Sequence, residues 1–205
     1  SQLQPGPDLV FVGDYVDRGE NSAGVLRRLF ELCQDDTRQV ICLKGNHEDM
    51  MLRFLDDPEH KGSMWLRNGG LQTLASFGIS GVAERMDPEN STRASQALAQ
   101  SMGADMLSWL HALPCQWQSG NVAVVHAAAD PSKPIAQQEP QTLVWGHPDF
   151  PDTPRQDGNW VLHGHTIVDQ PTFDNGIISI DTGAYATNRL TAAGVSQGNV
   201  EFLTT

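Results

Sequence analysis

The sequence predicts an α/β protein whose polar loops follow the ends of buried strands. Apolar runs at Leu9–Val12 and Val40–Leu43 have the length of short buried strands, and each leads into a polar turn. Apolar residues at helical spacing come after both turns, in Ala23–Cys33 and in Glu48–Leu55. This repeated order of strand, loop and helix predicts a parallel sheet, and such sheets bind ligands at the carboxyl ends of their strands.

The middle of the chain is predicted to be mostly helical, and the last third mostly antiparallel sheet. Helical patterns occupy three segments, Leu71–Phe77, Ser91–Met102 and Ala104–Leu113. A hairpin across Gly120 is predicted to follow them. From Trp160 onward, short apolar runs alternate with turn signals, which favours antiparallel strands. Pro131–Pro154 is rich in Pro, Asp and Gln and is predicted to be a long loop.

Length and charge narrow the range of functions. The chain has 205 residues, and we expect a single domain over residues 1–205 because a domain typically takes about 100 to 200 residues. Acidic residues outnumber basic ones 25 to 13, and the net charge of -12 repels polyanions, so nucleic acid is not expected as a partner. A phosphate site would need local positive charge from metal ions or arginines.

The cysteines and the apolar content favour a cytoplasmic protein. The cysteines are scattered without CxxC spacing, which argues against a disulfide framework and a zinc knuckle. No apolar run approaches the roughly 20 residues that span a bilayer, so no membrane association is expected. The chain begins without Met, almost directly on an apolar strand, and we expect further residues upstream of Ser1.

Two motifs that follow the predicted strands concentrate polar and charged groups. GDYVDRG contains Asp14, Asp17 and Arg18, which combine carboxylates for a hard cation with a guanidinium suited to phosphate oxygens. GNHE contains Asn46, an oxygen ligand, and His47, which can bind metal or donate a proton. Taken alone, the first motif could be a solvated turn and the second a helix start.

Two single histidines also close apolar runs, His126 in VAVVHA and His165 in VLHGHT. Each alone would be read as a hydrogen-bonded core histidine. Because four polar motifs each close a strand, we expect Asp14, Asn46, His126 and His165 to converge at one sheet edge. Their oxygen and nitrogen donors suit a first-row divalent metal such as manganese, iron or zinc.

Together these motifs resemble the phosphoprotein phosphatase branch of the calcineurin-like metallophosphoesterases. GDYVDRG, GNHE, the His126 strand and GHT followed by IDTGA match in order from about Leu9 to Leu203, and WLRNGG at Trp65–Gly70 resembles bacterial and phage-type members. The resemblance implies a β-sandwich flanked by helices in four αββα layers. It also implies two divalent metal ions, with manganese favoured and iron or zinc as alternatives.

The resemblance assigns roles residue by residue. Asp14 resembles the carboxylate that bridges both metals, and Asn46, His126 and His165 complete the second metal. His47 is implied as the general acid, Asp17 as its orienting partner and Arg18 as a phosphate ligand. The GDxHG motif that holds the first metal in the family is absent from this chain, and with it the family's first strand.

Three further positions are assigned with alternatives. His147 in WGHPDF stands where the family has an arginine phosphate clamp, and histidine lacks the guanidinium fork. His163 is expected either to line the substrate pocket or to be structural. Asp181 is interpreted either as a carboxylate that supports a metal-binding histidine, which is favoured, or as a turn residue that bonds the amides of Thr182 and Gly183.

The leading functional hypothesis is hydrolysis of phosphate monoesters by attack of a metal-bridging hydroxide. The substrates would be phosphoserine or phosphothreonine proteins, with phosphotyrosine or small phosphoesters also accepted. A symmetrical bis(5'-nucleosyl)-tetraphosphate hydrolase is the alternative enzyme. A non-catalytic phosphate-binding scaffold also remains open, because GDxHG is absent and His147 replaces the clamp.

Overall fold

A computed structural model of the chain describes residues 6–35 and 37–205. These residues divide into two compact units, one ending at Pro114 and the other spanning Cys115–Thr205. None of the helices in the described residues is both long and apolar enough to cross a membrane. The assignment of residues 1–205 to one domain stays a prediction, as does the stacking of the sheets into four layers.

The first unit combines two parallel strands with a series of helices. The strands are β1 (Leu9–Phe11) and β2 (Val40–Cys42). The helices are α1 (Ser22–Cys33), α2 (Asn46–Asp56), α3 (Pro58–Trp65), α4 (Leu71–Ser76), α5 (Pro88–Met102) and α6 (Ala104–His111). The sequence patterns miss α3, because its large apolar side chains lie only in its last turn.

Helix α1 sets the parallel arrangement of β1 and β2. Its apolar face buries Leu26 and Leu29, and the side chain of Asn21 caps its first turn by accepting a hydrogen bond from the backbone N–H of Gly24 at 3.1 Å. β1 and β2 pair in parallel, with Phe11 opposite Cys42. Both strands therefore end at the same edge, where the GDYVDRG and GNHE segments follow.

The second unit is built on a mixed sheet with the strand order β3-β4-β5-β7-β6. Its strands are β3 (Gln116–Ser119), β4 (Val122–Val125), β5 (Trp160–His163), β6 (Thr172–Asp174) and β7 (Ile177–Ser179). A short helix, α8 (Ala184–Thr187), comes next in the chain. A separate hairpin follows it, formed by β8 (Thr191–Ser196) and β9 (Asn199–Thr204).

The prediction of a mostly antiparallel sheet is wrong for the centre of this sheet. β5 pairs in parallel with both β4 and β7, whereas β3–β4, β6–β7 and β8–β9 are antiparallel hairpins. Turn signals such as Asn175-Gly176 indicate only how strands adjacent in sequence pair, so they carry no information on pairing across long connections. The parallel centre places the ends of β4 and β5 side by side, and His126 and His165 follow these ends.

The predicted long loop at Pro131–Pro154 contains two helical segments. A 3-10 turn covers Ile135–Gln137, and α7 covers Pro140–Trp145. A proline in the first turn and Gly146 at the C-cap, with φ of 106°, account for the bounds of α7. The segment is ordered because its apolar residues join the core of the unit, which comprises Ala123, Val125, Ala129, Ile135, Leu143 and Val161.

The carboxylate of Glu48 ties the GDYVDRG loop to the start of α2. Its Oε2 accepts hydrogen bonds from the backbone N–H groups of Asp14 at 2.8 Å and Gly45 at 2.9 Å. Its Oε1 accepts from the N–H groups of Tyr15 at 2.7 Å and Val16 at 3.2 Å. Since Glu48 is fully buried, one side chain satisfies four backbone donors that would otherwise lose their hydrogen bonds to water.

We predict that Glu48→Gln destabilises the first unit, because an amide offers one acceptor oxygen and turns two donor hydrogens toward backbone N–H groups. The free energy of unfolding should fall by about 1–3 kcal/mol, the cost of leaving buried donors unpaired. Urea denaturation of the metal-free protein measures this change. Glu59→Gln is the matched control at an exposed helix position, and equal stability of the two variants would contradict the assignment.

Candidate active site

The GDYVDRG loop has an uncommon backbone conformation. Asp14, Asp17 and Arg18 have φ of 60°, 73° and 60°, in the left-handed region that side chains other than glycine rarely adopt. Gly69 of the WLRNGG segment packs against this loop with φ of 111°, and a Cβ there would lie 2.6 Å from the backbone nitrogen of Arg18. The close contact requires glycine at this position. Strained residues of this kind concentrate at functional sites.

Asp17 and His47 form a buried hydrogen-bonded pair, as the sequence predicts. Oδ2 of Asp17 lies 2.6 Å from Nδ1 of His47. The indole N–H of Trp65 donates to both carboxylate oxygens at 2.9 and 3.0 Å, and the hydroxyl of Thr73 donates to Oδ1 at 2.7 Å. The fixed carboxylate therefore orients the imidazole through Nδ1–H and leaves Nε2 as the nitrogen available for proton transfer.

Charged neighbours shift the pKa of His47. Burial lowers it, but the hydrogen bond with Asp17 and the negative charges of Asp14 and Asp17 outweigh burial, and the net direction is upward from the ordinary value. The positive charge of Arg18 opposes this rise. His47, predicted for proton transfer, and Arg18, predicted for phosphate binding, thus act on each other although one lies in α2 and the other in the GDYVDRG loop.

Asp14 and Asn46 supply oxygen donors in the first unit. Oδ1 of Asp14 accepts a hydrogen bond from the backbone N–H of His47 at 3.2 Å, which places this carboxylate at the start of α2 beside Asn46. A Cβ at Gly45 would lie 2.5 Å from the backbone nitrogen of Asp14, so only glycine allows the two segments to approach so closely. A carboxylate and an amide oxygen are ligands that hard divalent cations accept.

His126 and His165 direct ring nitrogens toward each other in the second unit. Nε2 of His126 and Nδ1 of His165 are 3.2 Å apart, and the ring planes are inclined at 72°. Two nitrogens at this separation, each about 2.1 Å from one metal ion, would subtend about 100° at the ion, between the octahedral and tetrahedral angles. This donor pair therefore fits two positions of a divalent metal site, and ligation of one ion by all four predicted residues stays a prediction.

His163 is a buried residue with both ring nitrogens hydrogen-bonded. Its Nδ1–H donates to the carbonyl of Gly164 at 2.9 Å, and its Nε2 accepts from the hydroxyl of Ser179 at 2.8 Å. Burial lowers the pKa of His163, which is consistent with this neutral form. The geometry matches the structural alternative, and a role in substrate binding stays a prediction.

Asp181 shows the contact expected of a turn residue. Its Oδ1 accepts a hydrogen bond from the backbone N–H of Gly183 at 2.8 Å. This bond corresponds to the turn alternative, which the sequence reasoning favoured less. The carboxylate also acts electrostatically on His163, whose pKa it raises slightly against the effect of burial. Support of a metal-binding histidine by Asp181 stays a prediction.

His147 lines a pocket of about 430 Å³ in the second unit. Trp145, Phe150 and His165 also line this pocket. Nδ1 of His147 accepts a hydrogen bond from the backbone N–H of Asp149 at 3.3 Å, and Nε2 lies 3.7 Å from a carboxylate oxygen of Asp130. His147 therefore shares a pocket with one predicted metal ligand, and phosphate binding by it stays a prediction.

Arg155, the other residue considered for the phosphate clamp, is occupied elsewhere. Its guanidinium donates to the carbonyl oxygens of Asp130 at 2.8 Å and Lys133 at 2.7 Å. It also pairs with the carboxylate of Asp157, and its side chain is only 5% exposed. These hydrogen bonds stabilise the loop that contains Asp130 and Lys133, and the guanidinium is not available to a ligand.

The structure thus gathers the predicted residues into two groups. One group, in the first unit, contains Asp14, Asp17, Arg18, Asn46 and His47, and the other, in the second unit, contains His126, His147, His163 and His165. The sequence reasoning assigned no role to Glu48, Trp65 or Thr73, which anchor the first group. The signal for Trp65 and Glu48 was present, since both lie within motifs that the resemblance had already identified.

Comparison with known proteins identifies the family. Residues 2–169 match the family described as calcineurin-like phosphoesterase. The chain is 28% identical over 198 residues to bis(5'-nucleosyl)-tetraphosphatase PrpE [asymmetrical] of Bacillus velezensis, with 89% of this chain and 72% of that protein covered. It is 26% identical over 201 residues to serine/threonine-protein phosphatase 2 of Salmonella typhimurium, with 93% and 82% covered.

The fold is also similar to that of a solved phosphatase. The crystal structure of a cold-active protein-tyrosine phosphatase of a psychrophilic Shewanella species superposes with a TM-score of 0.58 at 18% identity, covering 96% of this chain and 69% of that one. At this identity the similarity shows the fold alone. The family match covers most of the chain and confirms the predicted fold class and an enzyme that acts on phosphoesters. The protein belongs to the calcineurin-like phosphoesterase family.

Proposed function

We propose that this protein hydrolyses phosphate monoesters on phosphoserine or phosphothreonine proteins, and that it also accepts phosphotyrosine. The observation that carries the proposal is the buried hydrogen bond between Asp17, in the loop that also contains Asp14 and Arg18, and His47 at the start of α2. It brings a proton donor next to a loop that carries a guanidinium and a carboxylate proposed as a metal ligand. The serine/threonine-protein phosphatase among the relatives supports this substrate class.

The metal ligands in this proposal are Asp14, Asn46, His126 and His165. Members of the family use divalent metal ions, and the donor chemistry of these residues fits manganese, with iron or zinc as alternatives. Bound metal would activate a water molecule and neutralise phosphate charge, which this acidic chain otherwise repels. We propose two metal ions, as the sequence resemblance implies.

The protein's own groups then orient the substrate and transfer the proton. Arg18 is exposed and, in this proposal, holds phosphoryl oxygens through its planar fork. His47 donates a proton from Nε2 to the leaving alkoxide, while Asp17 keeps Nδ1–H in place. Trp65 and Thr73 prevent the carboxylate from rotating, so the imidazole keeps one orientation through the reaction.

Hydrolysis of a dinucleoside tetraphosphate is the second candidate. Two observations favour it, the similarity to a bis(5'-nucleosyl)-tetraphosphatase and a pocket lined by Trp145 and Phe150, whose faces suit a nucleobase. The relative is named as an asymmetrical enzyme, whereas the sequence-based alternative was a symmetrical one. Product analysis distinguishes the two cleavage patterns.

Side-by-side turnover tests the substrate class. We expect the protein with added manganese to release phosphate from phosphoserine and phosphotyrosine peptides with higher kcat/KM than it cleaves diadenosine tetraphosphate. A preference for diadenosine tetraphosphate would overturn the proposed substrate in favour of the second candidate. No turnover of any of these substrates or of p-nitrophenyl phosphate would support the non-catalytic scaffold.

We predict that His47→Ala slows hydrolysis of phosphoserine peptides by about 100- to 10,000-fold, because a basic alkoxide needs a proton as it leaves. The loss on p-nitrophenyl phosphate should be much smaller, since nitrophenolate leaves without one. Measured kcat on both substrates checks this contrast. His60→Ala is the matched control, because His60 is an exposed histidine paired with Asp57. Equal losses on both substrates would indicate a structural role for His47.

We predict that His147→Arg strengthens inhibition by inorganic phosphate. A permanent charge with a bidentate fork should lower the inhibition constant by about tenfold, the effect of one charge-assisted hydrogen bond. His111→Arg adds the same charge at an exposed helix position and serves as the control. Indistinguishable inhibition constants for the two variants would show that position 147 does not contact phosphate.

A further inference from the structure

Two cysteines of the first unit face each other outside the group of catalytic candidates. Cys33 is the last residue of α1, and Cys42 is the last residue of β2. Their sulfurs are 3.6 Å apart, and both are free thiols. A covalent bond would require the sulfurs to approach by only about 1.5 Å, which side-chain rotation and a small shift at the end of α1 can supply.

The two thiols differ in access to solvent. Cys42 is 3% exposed, and burial raises the pKa of its thiol, so it is a poor first nucleophile. Cys33 is half-buried, and it lies at the end of a helix where small reagents can reach it. A reagent in solution should therefore meet Cys33 first, and Cys42 should complete the reaction.

We propose that Cys33 and Cys42 form a reversible disulfide on exposure to a low-molecular-weight disulfide such as glutathione disulfide, and that this bond disturbs the GDYVDRG loop. The Cys33 thiolate attacks one sulfur of the reagent and releases one glutathione thiolate. The Cys42 thiolate then attacks the Cys33 sulfur and releases the second. The two protein thiols lose two protons and two electrons, and the reagent is reduced to two thiols.

Tyr15 connects the cysteine pair to the loop. Its hydroxyl acts on the pKa of the Cys42 thiol, accepts a hydrogen bond from the backbone N–H of Gly13 at 3.0 Å, and donates to the carbonyl of Leu43, the residue after Cys42, at 2.7 Å. Its own backbone N–H is one of the four that Glu48 holds. In the proposed disulfide, the shift of Cys42 toward Cys33 disturbs the adjacent Leu43 carbonyl and weakens the attachment of the loop to the end of β2 through Tyr15.

Peptide mapping after treatment with glutathione disulfide tests the bond. We expect one cross-linked peptide pair containing Cys33 and Cys42, a mass decrease of two hydrogen atoms, and reversal by a thiol reductant. Cys33→Ser should abolish the cross-link, and Cys115→Ser should leave it unchanged. A mixed disulfide that persists on Cys33, or random linkage that includes Cys115, would overturn the proposal.

Two readouts test the effect on the loop. Hydrogen exchange of the Asp14, Tyr15 and Val16 amides should be faster in the oxidised protein, because their bonds to Glu48 loosen. Turnover should fall by up to about 100-fold and recover on reduction, with Cys33→Ser resistant. The turnover readout rests on the proposed function, whereas mapping and exchange do not. A cross-linked protein with unchanged exchange would show that the disulfide does not act on the loop.

Discussion

Three of the four hydrogen bonds that Glu48 accepts come from the GDYVDRG loop and hold it in a conformation that its own sequence disfavours, while the fourth comes from Gly45. Three left-handed residues in this loop cost about 1–3 kcal/mol each. Hydrogen bonds to a charged group contribute about 1.5–3 kcal/mol each, so the three that come from the loop are of the same size as that strain. A buried carboxylate is suited to this task because each of its oxygens can accept two donors.

The orientation of His47 depends on the packing of two buried aromatic rings. Trp65, which donates to Asp17, stacks on Phe54 with ring centroids 4.9 Å apart, and both rings are buried. Rotation of the Asp17 carboxylate would break its hydrogen bonds with the side chains of His47, Trp65 and Thr73. The hydrophobic packing between α2 and α3 therefore helps to fix the geometry of a polar pair.

The sequence was sufficient for the features that depend on local order. The spacing of Leu26 and Leu29 predicted α1, and the motif order identified the family and the residues for the candidate site. The sequence did not predict strand pairing between segments that are distant along the chain, such as the parallel pairing of β5 with β4 and β7. The Pro-, Asp- and Gln-rich composition of Pro131–Pro154 favours a loop, but the helix at Pro140–Trp145 forms within it, with a proline in its first turn and Gly146 at its C-cap. The anchoring by Glu48 could be predicted only in part. The sequence places Glu48 in the GNHE motif, but residue spacing does not show which backbone N–H groups its carboxylate binds.

The left-handed conformation of Arg18 has a consequence for how this chain can evolve. A side chain with a Cβ is disfavoured at this φ of 60°, whereas glycine or asparagine adopts such a φ at little cost. Considering the backbone alone, glycine at this position would relieve about 1 kcal/mol of strain, so selection for backbone stability would favour replacing the arginine. In the proposed function the guanidinium binds phosphate and offsets this cost, and a chain without that function should lose the arginine early.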